Sequence, residues 1–254
     1  MKLTGNTIFI TDGTSGIGCG LAEALHALGN KVIVSGRRRA LLDEVTAANP
    51  GMAAIELDIN DPASIERAAA IIRRDFPETN VLFNNAGIMP FDDTSAPVDD
   101  AAAQGVVTTN LLGPIRMTSA LIEHLKTRPE ATILYTSSVL AFVPLATNSV
   151  YSATKAALHS YALTQRFQLR DTSVRVQEIA PPWVDTDLIY KSGDPRAMPL
   201  GAFVEQTIAA LAKDDPEVIV DAIRPLRDNP GADEHALVHA FNQSIVENPI
   251  PIGH

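Results

Sequence analysis

The chain has 254 residues, one cysteine, 46% apolar residues and a formal charge of −10 from 20 Lys and Arg against 30 Asp and Glu. That apolar content excludes a disordered chain, and the acidic balance argues against a surface that neutralises nucleic-acid phosphates. A lone cysteine excludes an internal disulfide and a cysteine-rich zinc site, and no apolar run approaches the roughly 18 residues of a membrane span. The opening residues, MKLTGNTIFITDG, have neither transit-peptide character nor a long apolar leader, so a cytoplasmic location is expected.

Short β-branched runs alternate along the chain with longer stretches of helical periodicity. Strands are expected over 7–11, 31–35, 53–58, 80–84, 131–137, 173–179 and, from a weaker pattern, 217–220. A helix over 17–28 aligns Ile17, Leu21, Ala24, Leu25 and Leu28 on one face. Another over 62–76 opens on Pro62 and carries Ile65, Ala68, Ala69 and Ile72. Two long helices follow, over 99–126 and 150–170. Such alternation implies parallel strands joined by right-handed crossovers. The expected fold class is therefore α/β: a doubly wound parallel sheet of about seven strands, an extended Rossmann fold with helices on both faces. The continuous apolar runs IFI, VIV and VLF fit strands covered on both sides. With no repeat or linker, a single domain over 1–254 is expected. The proline-rich stretch after Pro181 suits a substrate loop at about 187–205.

Directly after the first strand, Thr11-Asp12-Gly13-Thr14-Ser15-Gly16-Ile17-Gly18 leads into the first helix. A glycine turn here lets backbone N–H groups and the helix N-terminus approach a pyrophosphate. The segment resembles the short-chain dehydrogenase/reductase family, whose turn reads T-G-x-x-x-G-x-G. Gly16 and Gly18 match the second and third family glycines, and Asp12 stands where the first would be. Asn84-Asn85-Ala86-Gly87 matches the family N-N-A-G signature. Tyr151-Ser152-Ala153-Thr154-Lys155 matches its YxxxK motif, with Ser138 13 residues earlier, and Asn110 matches its helix asparagine. Ala180-Pro181-Pro182-Trp183-Val184-Asp185-Thr186 is similar to P-G-x-V-x-T, with Pro182 in place of the glycine. The resemblance runs from about Leu3 to Thr186.

That resemblance implies a nicotinamide cofactor held by Thr11, Asp12, Thr14, Ser15, Gly16, Ile17 and Gly18 in the turn. It adds Asp58 and Ile59 at the adenine, Asn85, Ala86 and Gly87 along the cofactor, and Pro181, Val184 and Thr186 beside the nicotinamide, with Tyr151 and Lys155 also in contact. Selectivity is legible in Val34-Ser35-Gly36-Arg37-Arg38-Arg39, which has no acid until Asp43. An acid there would bind a ribose 2′-hydroxyl, whereas the forks of Arg37 and Arg38 suit a 2′-phosphate, so NADP(H) is favoured over NAD(H).

Tyr151 and Lys155 stand at i and i+4, on one face of a helix. A phenol with a pKa near 10 is a poor catalyst at neutral pH, and an adjacent ammonium stabilises its phenolate. By resemblance, Tyr151 exchanges the proton, Ser138 polarises the carbonyl, Lys155 assists Tyr151 and binds the ribose, and Asn110 relays protons through a water. A homodimer or homotetramer built on the two long helices is also implied. The expected reaction is hydride transfer between NADP(H) and a neutral, hydrophobic ketone, aldehyde or secondary alcohol. Val139, Leu140, Phe142, Val143, Leu145, Met89, Trp183, Leu188, Ile189 and Met198 support an apolar pocket, with Lys191 and Arg196 the only nearby cations that could hold a carboxylate. The altered turn leaves a second class open, a nicotinamide-binding sensor or scaffold with little turnover. His159, the pair His235 and His239, and Cys19 are read as packing or surface residues, with no metal expected.

Overall fold

A computed structural model of the protein describes residues 1–228 and 233–249. Seven strands, β1 (Thr7–Ile10), β2 (Lys31–Gly36), β3 (Ala53–Glu56), β4 (Val81–Asn84), β5 (Ala131–Thr136), β6 (Val174–Ile179) and β7 (Glu217–Val218), form one sheet. Its order is β3-β2-β1-β4-β5-β6-β7, and every pairing is parallel. The helices are α1 (Gly16–Ala27), α2 (Arg39–Ala48), α3 (Pro62–Asp75), α4 (Asp100–Val107), α5 (Gly113–Lys126), α6 (Ser149–Gln168), α7 (Leu200–Leu211), α8 (Arg224–Arg227) and α9 (Glu234–Glu247).

Side chains alternate across each strand and so feed two separate cores. Ile8, Ile10, Val32, Val34, Phe83 and Leu134 pack with Leu21 and Leu25 of α1, Leu42 of α2 and Phe203 of α7. Phe9, Ile33, Leu82, Ile133 and Tyr135 pack on the other face with Ile65 and Ile72 of α3, Met117 and Leu121 of α5, and Leu158 of α6. Full burial of such aliphatic side chains contributes about 1.5–3 kcal/mol each, which is what the continuous apolar strands of the sequence encode. The chain runs outward from β1 to β3, then returns to place β4 on β1's other side. A crevice opens at that reversal, beyond the carboxyl ends of the strands, and this is where an open α/β sheet binds ligands.

Local chemistry sets the ends of the elements near the crevice. Asp61 caps α3 by accepting from Ala63 N at 2.9 Å, and Pro62 occupies the first turn, where its missing N–H costs nothing. The two N–H groups opening α6, of Ser149 and Val150, donate at 2.8 Å each to the two carboxylate oxygens of Asp92, in the loop after β4.

Three expectations are corrected. The helix expected over 99–126 is α4 and α5 joined by a π turn, Thr108–Leu112. Pro114 has no N–H to give the Asn110 carbonyl one turn earlier, so the ladder widens there. Strand β3 ends at Glu56, short of 58, and Asp58 lies in the following turn, accepting from Asn60 N at 2.9 Å. Strand β5 ends at Thr136, so Ser138 stands beyond it, accepting from Leu140 N at 3.1 Å at the head of a 3-10 turn. With the strand already over, Ser137 and Ser138 both line the crevice.

Candidate active site

The turn after β1 is tied to neighbouring strands by its own polar groups. Thr11 Oγ1 accepts from Asn85 N at 3.0 Å and Ala86 N at 3.1 Å, and Gly13 N donates to Ser35 O at 2.9 Å. A side chain at Gly18 would stand 2.4 Å from both the Asp12 carbonyl and Asn85 Nδ2, so only glycine fits. Gly16 opens α1 at φ +52°, and Ser15, at its N-cap, uses no side-chain cap. The first N–H groups of α1 therefore face the crevice without intrahelical partners, as an anion site requires.

Asp12 is the departure. It has φ +55°, the left-handed region in which a side chain is strained. Gly13 does not take that role; its bare Cα is needed because a Cβ would lie 2.9 Å from Val34 Cγ1. Burial pushes the Asp12 carboxyl above its ordinary range, and the charges of Arg37 and Arg38 oppose the shift.

Two hollows open on this turn. A cavity of about 200 Å³ is lined by Thr11, Asp12, Arg37, Asp58, Ile59, Ala86 and Gly87. A chamber of about 390 Å³ is lined by Asp12, Ser15, Gly16, Ile17, Asn85, Gly87, Ser138, Tyr151, Lys155, Pro181, Val184 and Thr186. Thr14, Gly18, Arg38 and Asn110 line neither hollow. Thr14 and Gly18 are buried in the turn's packing, and Arg38 is exposed.

Asn110 is fully buried in the π turn. Its amide closes a two-way bond with Ile88, accepting from N and donating to O at 2.9 Å each. Asn110 Oδ1 and Lys155 Nζ both stand 3.6 Å from the point where a Gly87 Cβ would be, so that glycine brings them close. Tyr151 and Lys155 are buried on α6. The Lys155 ammonium lies 5.5 Å from the Tyr151 ring centroid and donates to the Thr136 carbonyl at 2.7 Å. Burial pulls Lys155 down to about 8, against the raising effect of the Glu178 charge. Burial also pushes the Tyr151 phenol up to about 12, with a Ser138 hydrogen bond acting the other way.

The far walls of the chamber are apolar: Met89, Val139, Leu140, Leu145, Leu188 and Ile189, as the sequence suggested. Ile223, Leu226, Phe241 and Ile245 join them from the last quarter of the chain. Sequence reasoning missed those four. The only available signal was the i, i+4 spacing of Phe241 and Ile245 on α9, which marks an amphipathic helix without saying what it covers. Asn242 fastens that helix over the chamber by bonding Ala146 N and Pro144 O. Phe142, Val143 and Met198 pack away from the chamber. Arg196 is paired with Asp194 at 2.7 Å and, like Lys191, does not line it. Trp183 brings a buried indole N–H that has no partner among the described residues.

With this geometry in view, the relatives agree with one another. The short chain dehydrogenase family profile matches residues 6–196. An uncharacterized oxidoreductase, DltE of Bacillus subtilis, is 39% identical over 248 residues, 95% of this chain and 98% of its own. An NADP-dependent 3-hydroxy acid dehydrogenase of Schizosaccharomyces pombe is 27% identical over 87% of this chain and 93% of its own. A short-chain dehydrogenase from Burkholderia cenocepacia, solved in complex with NADP, superposes with a TM-score of 0.84 at 28% identity, over 95% of this chain and 99% of that one. The sheet order, the turn after β1 and these matches have one common explanation: the chain belongs to the short-chain dehydrogenase family of oxidoreductases.

Proposed function

We propose that this oxidoreductase uses NADP(H) in preference to NAD(H) and interconverts neutral, apolar ketones or aldehydes with their alcohols, as a carbonyl reductase or alcohol dehydrogenase. One observation carries the reading: Ser138, Tyr151 and Lys155 share a single chamber whose far walls are mostly aliphatic and aromatic. The residues fit a dinucleotide. The N–H groups at the start of α1 suit its pyrophosphate, and the bare Gly18 lets that helix pack tightly against Asp12 and Asn85 behind the turn. Arg39 pairs with Asp43, whereas Arg37 and Arg38 are exposed and form no salt bridge among the described residues, which leaves them for a 2′-phosphate. The NADP complex of the Burkholderia relative and the NADP dependence named for the Schizosaccharomyces relative point the same way.

Bound nicotinamide supplies the hydride in reduction and accepts it in oxidation. Tyr151 is a neutral phenol at physiological pH, the protonation state that a donor to a carbonyl oxygen needs. Ser138 bonds the same phenol and polarises that oxygen. Lys155, as an ammonium, lowers the cost of the phenolate left behind and contacts the ribose. Asn110, whose Oδ1 lies near Lys155, is assigned the water that would relay the proton. The exposed Leu163 and Phe167 of α6 support a homodimer or homotetramer joined through the long helices.

A substrate panel followed by NADPH absorbance tests the reading. Neutral aryl and alkyl ketones are expected to outpace charged keto acids; the reverse order refutes the apolar-substrate assignment. A nicotinamide sensor with little turnover is the alternative, favoured by the strained Asp12 in the cofactor turn. NADPH binding without turnover across the panel supports that alternative.

A further inference from the structure

One turn beyond Lys155 on α6, His159 Nδ1 lies 2.7 Å from Oε2 of Glu178 in β6. The Glu178 side chain is 1% exposed, and its other oxygen, Oε1, is buried without a partner among the described residues. A carboxylate so placed is costly unless an opposite charge compensates it. The strand register shows where that charge comes from. Glu178 stands opposite Tyr135 in β5, and the next pair along is Thr136 with Ile179. The Thr136 carbonyl is the group that holds the Lys155 ammonium. Tyr151, Lys155 and His159 follow one another at i, i+4 and i+8 along α6, so one helix face carries all three over this part of the sheet.

The surrounding charges assign the partners. From α6 come Tyr151, Lys155, His159 and Arg166; from β7, Glu217; from α8, Arg227. The ligand atoms of His159, Glu178 and Glu217 lie within 4.8 Å of one another, a grouping that invites a metal. Both Glu217 oxygens, however, are taken by Arg227 at 2.7 and 2.8 Å, and Arg166 bonds the Val176 and Pro216 carbonyls beside them. Glu217 is thereby neutralised, and a second cation beside Arg227 would be repelled. Glu178 makes its one side-chain hydrogen bond to His159, and its charge acts on Arg227 as well as on Lys155. Its charge is also the neighbouring one that opposes the effect of burial on the Lys155 ammonium.

We propose that Glu178 is a positioning residue for Lys155: its carboxylate, anchored through one oxygen by His159, is the buried counter-charge that keeps the Lys155 ammonium protonated beside Tyr151. This rests on the role given above to Lys155 in the reaction. Removing the charge withdraws the influence that favours the protonated form, so Lys155 then loses its proton at lower pH. An opposite charge moves a buried neighbour by about one pH unit or more.

The test is an NMR titration of the full-length protein carrying lysine labelled at Cε. The Lys155 resonance is assigned by its absence in Lys155→Met. In Glu178→Gln it is expected to titrate about one unit or more below wild type, and the alkaline limb of kcat/KM moves down with it. In His159→Gln, whose amide still donates to Glu178, both stay near wild type. A Glu178→Gln protein that is less stable but titrates at the wild-type pH overturns the proposal. If Glu178→Gln does not fold, the wild-type Glu178 Cδ resonance decides. It is expected to shift at the Lys155 midpoint, and a flat response there overturns the proposal. Neither resonance depends on turnover, so a protein inactive on every carbonyl contradicts the proposed function while this result stands.

Discussion

Asp12 is the residue at which this chain departs most sharply from the turn it otherwise builds. Its left-handed backbone and half-buried carboxylate sit where a dinucleotide's phosphates must approach, and both features oppose binding. Asp12→Gly is therefore expected to tighten NADPH binding, most visibly at low salt, with kcat at saturating cofactor little changed. Asp12→Asn, which removes the charge and keeps a side chain that tolerates this conformation, separates the two effects. Calorimetric titration of both variants measures them, and affinity unchanged in both contradicts the account of the turn. Tyr151→Phe keeps the ring and removes the proton donor; kcat is expected to fall by a factor of about 100 or more while NADPH affinity holds. Retention of most activity removes Tyr151 from the mechanism. The burial of Lys155 also has a pH signature. Its folded pKa of about 8 lies below the ordinary 10.5, so the ammonium is present below about 8 and lost above it. The kcat/KM for NADPH, which reports the free enzyme, is expected to decline as pH rises through that value. Between about 8 and 10.5 the unfolded chain binds the extra proton, so this residue's contribution to stability rises with pH across that window.

At the scale of elements, the central α/β pattern was legible because its signals are local. β-Branched runs, one-face helices, a proline at the first turn of α3 and a glycine turn before α1 each act within a few residues. Asn84-Asn85-Ala86-Gly87 and the Tyr151–Lys155 pair were legible for the same reason. What the sequence concealed depends on distant partners. The π turn at Asn110 arises from Pro114 together with the bonds to Ile88, and α6 is capped by Asp92 from 57 residues away rather than by a neighbour. The closing of the chamber by α8 and α9 has no motif, because any aliphatic residue facing inward does the work. That makes α9 a specificity element. Phe241→Ala is expected to raise KM for bulky neutral ketones roughly tenfold, the scale of about 1.4 kcal/mol of lost apolar contact, and to leave NADPH affinity intact. Steady-state kinetics with large and small ketones checks this; an equal effect on both, or a loss of NADPH affinity, places α9 outside the substrate wall.

For the whole molecule, no helix among the described residues is long and apolar enough to cross a membrane. The apolar surface that stands out is instead the outer face of α6, where Phe167 is 67% exposed. An assembly through that face is expected to elute above the monomer at micromolar concentration, and Phe167→Glu to shift it toward the monomer. A wild-type monomer contradicts the proposed oligomer. The central claim joins the two hollows into one reaction, with NADPH along the turn after β1 and a neutral carbonyl against Ser138 and Tyr151. It is tested most directly with NADPH carrying deuterium at the transferable position and a neutral ketone that the enzyme accepts, by mass spectrometry of the alcohol formed. The account predicts one deuterium on the carbinol carbon with wild type and almost none with Tyr151→Phe over the same time. An unlabelled alcohol, or no alcohol from any neutral ketone while NADPH binds, contradicts it.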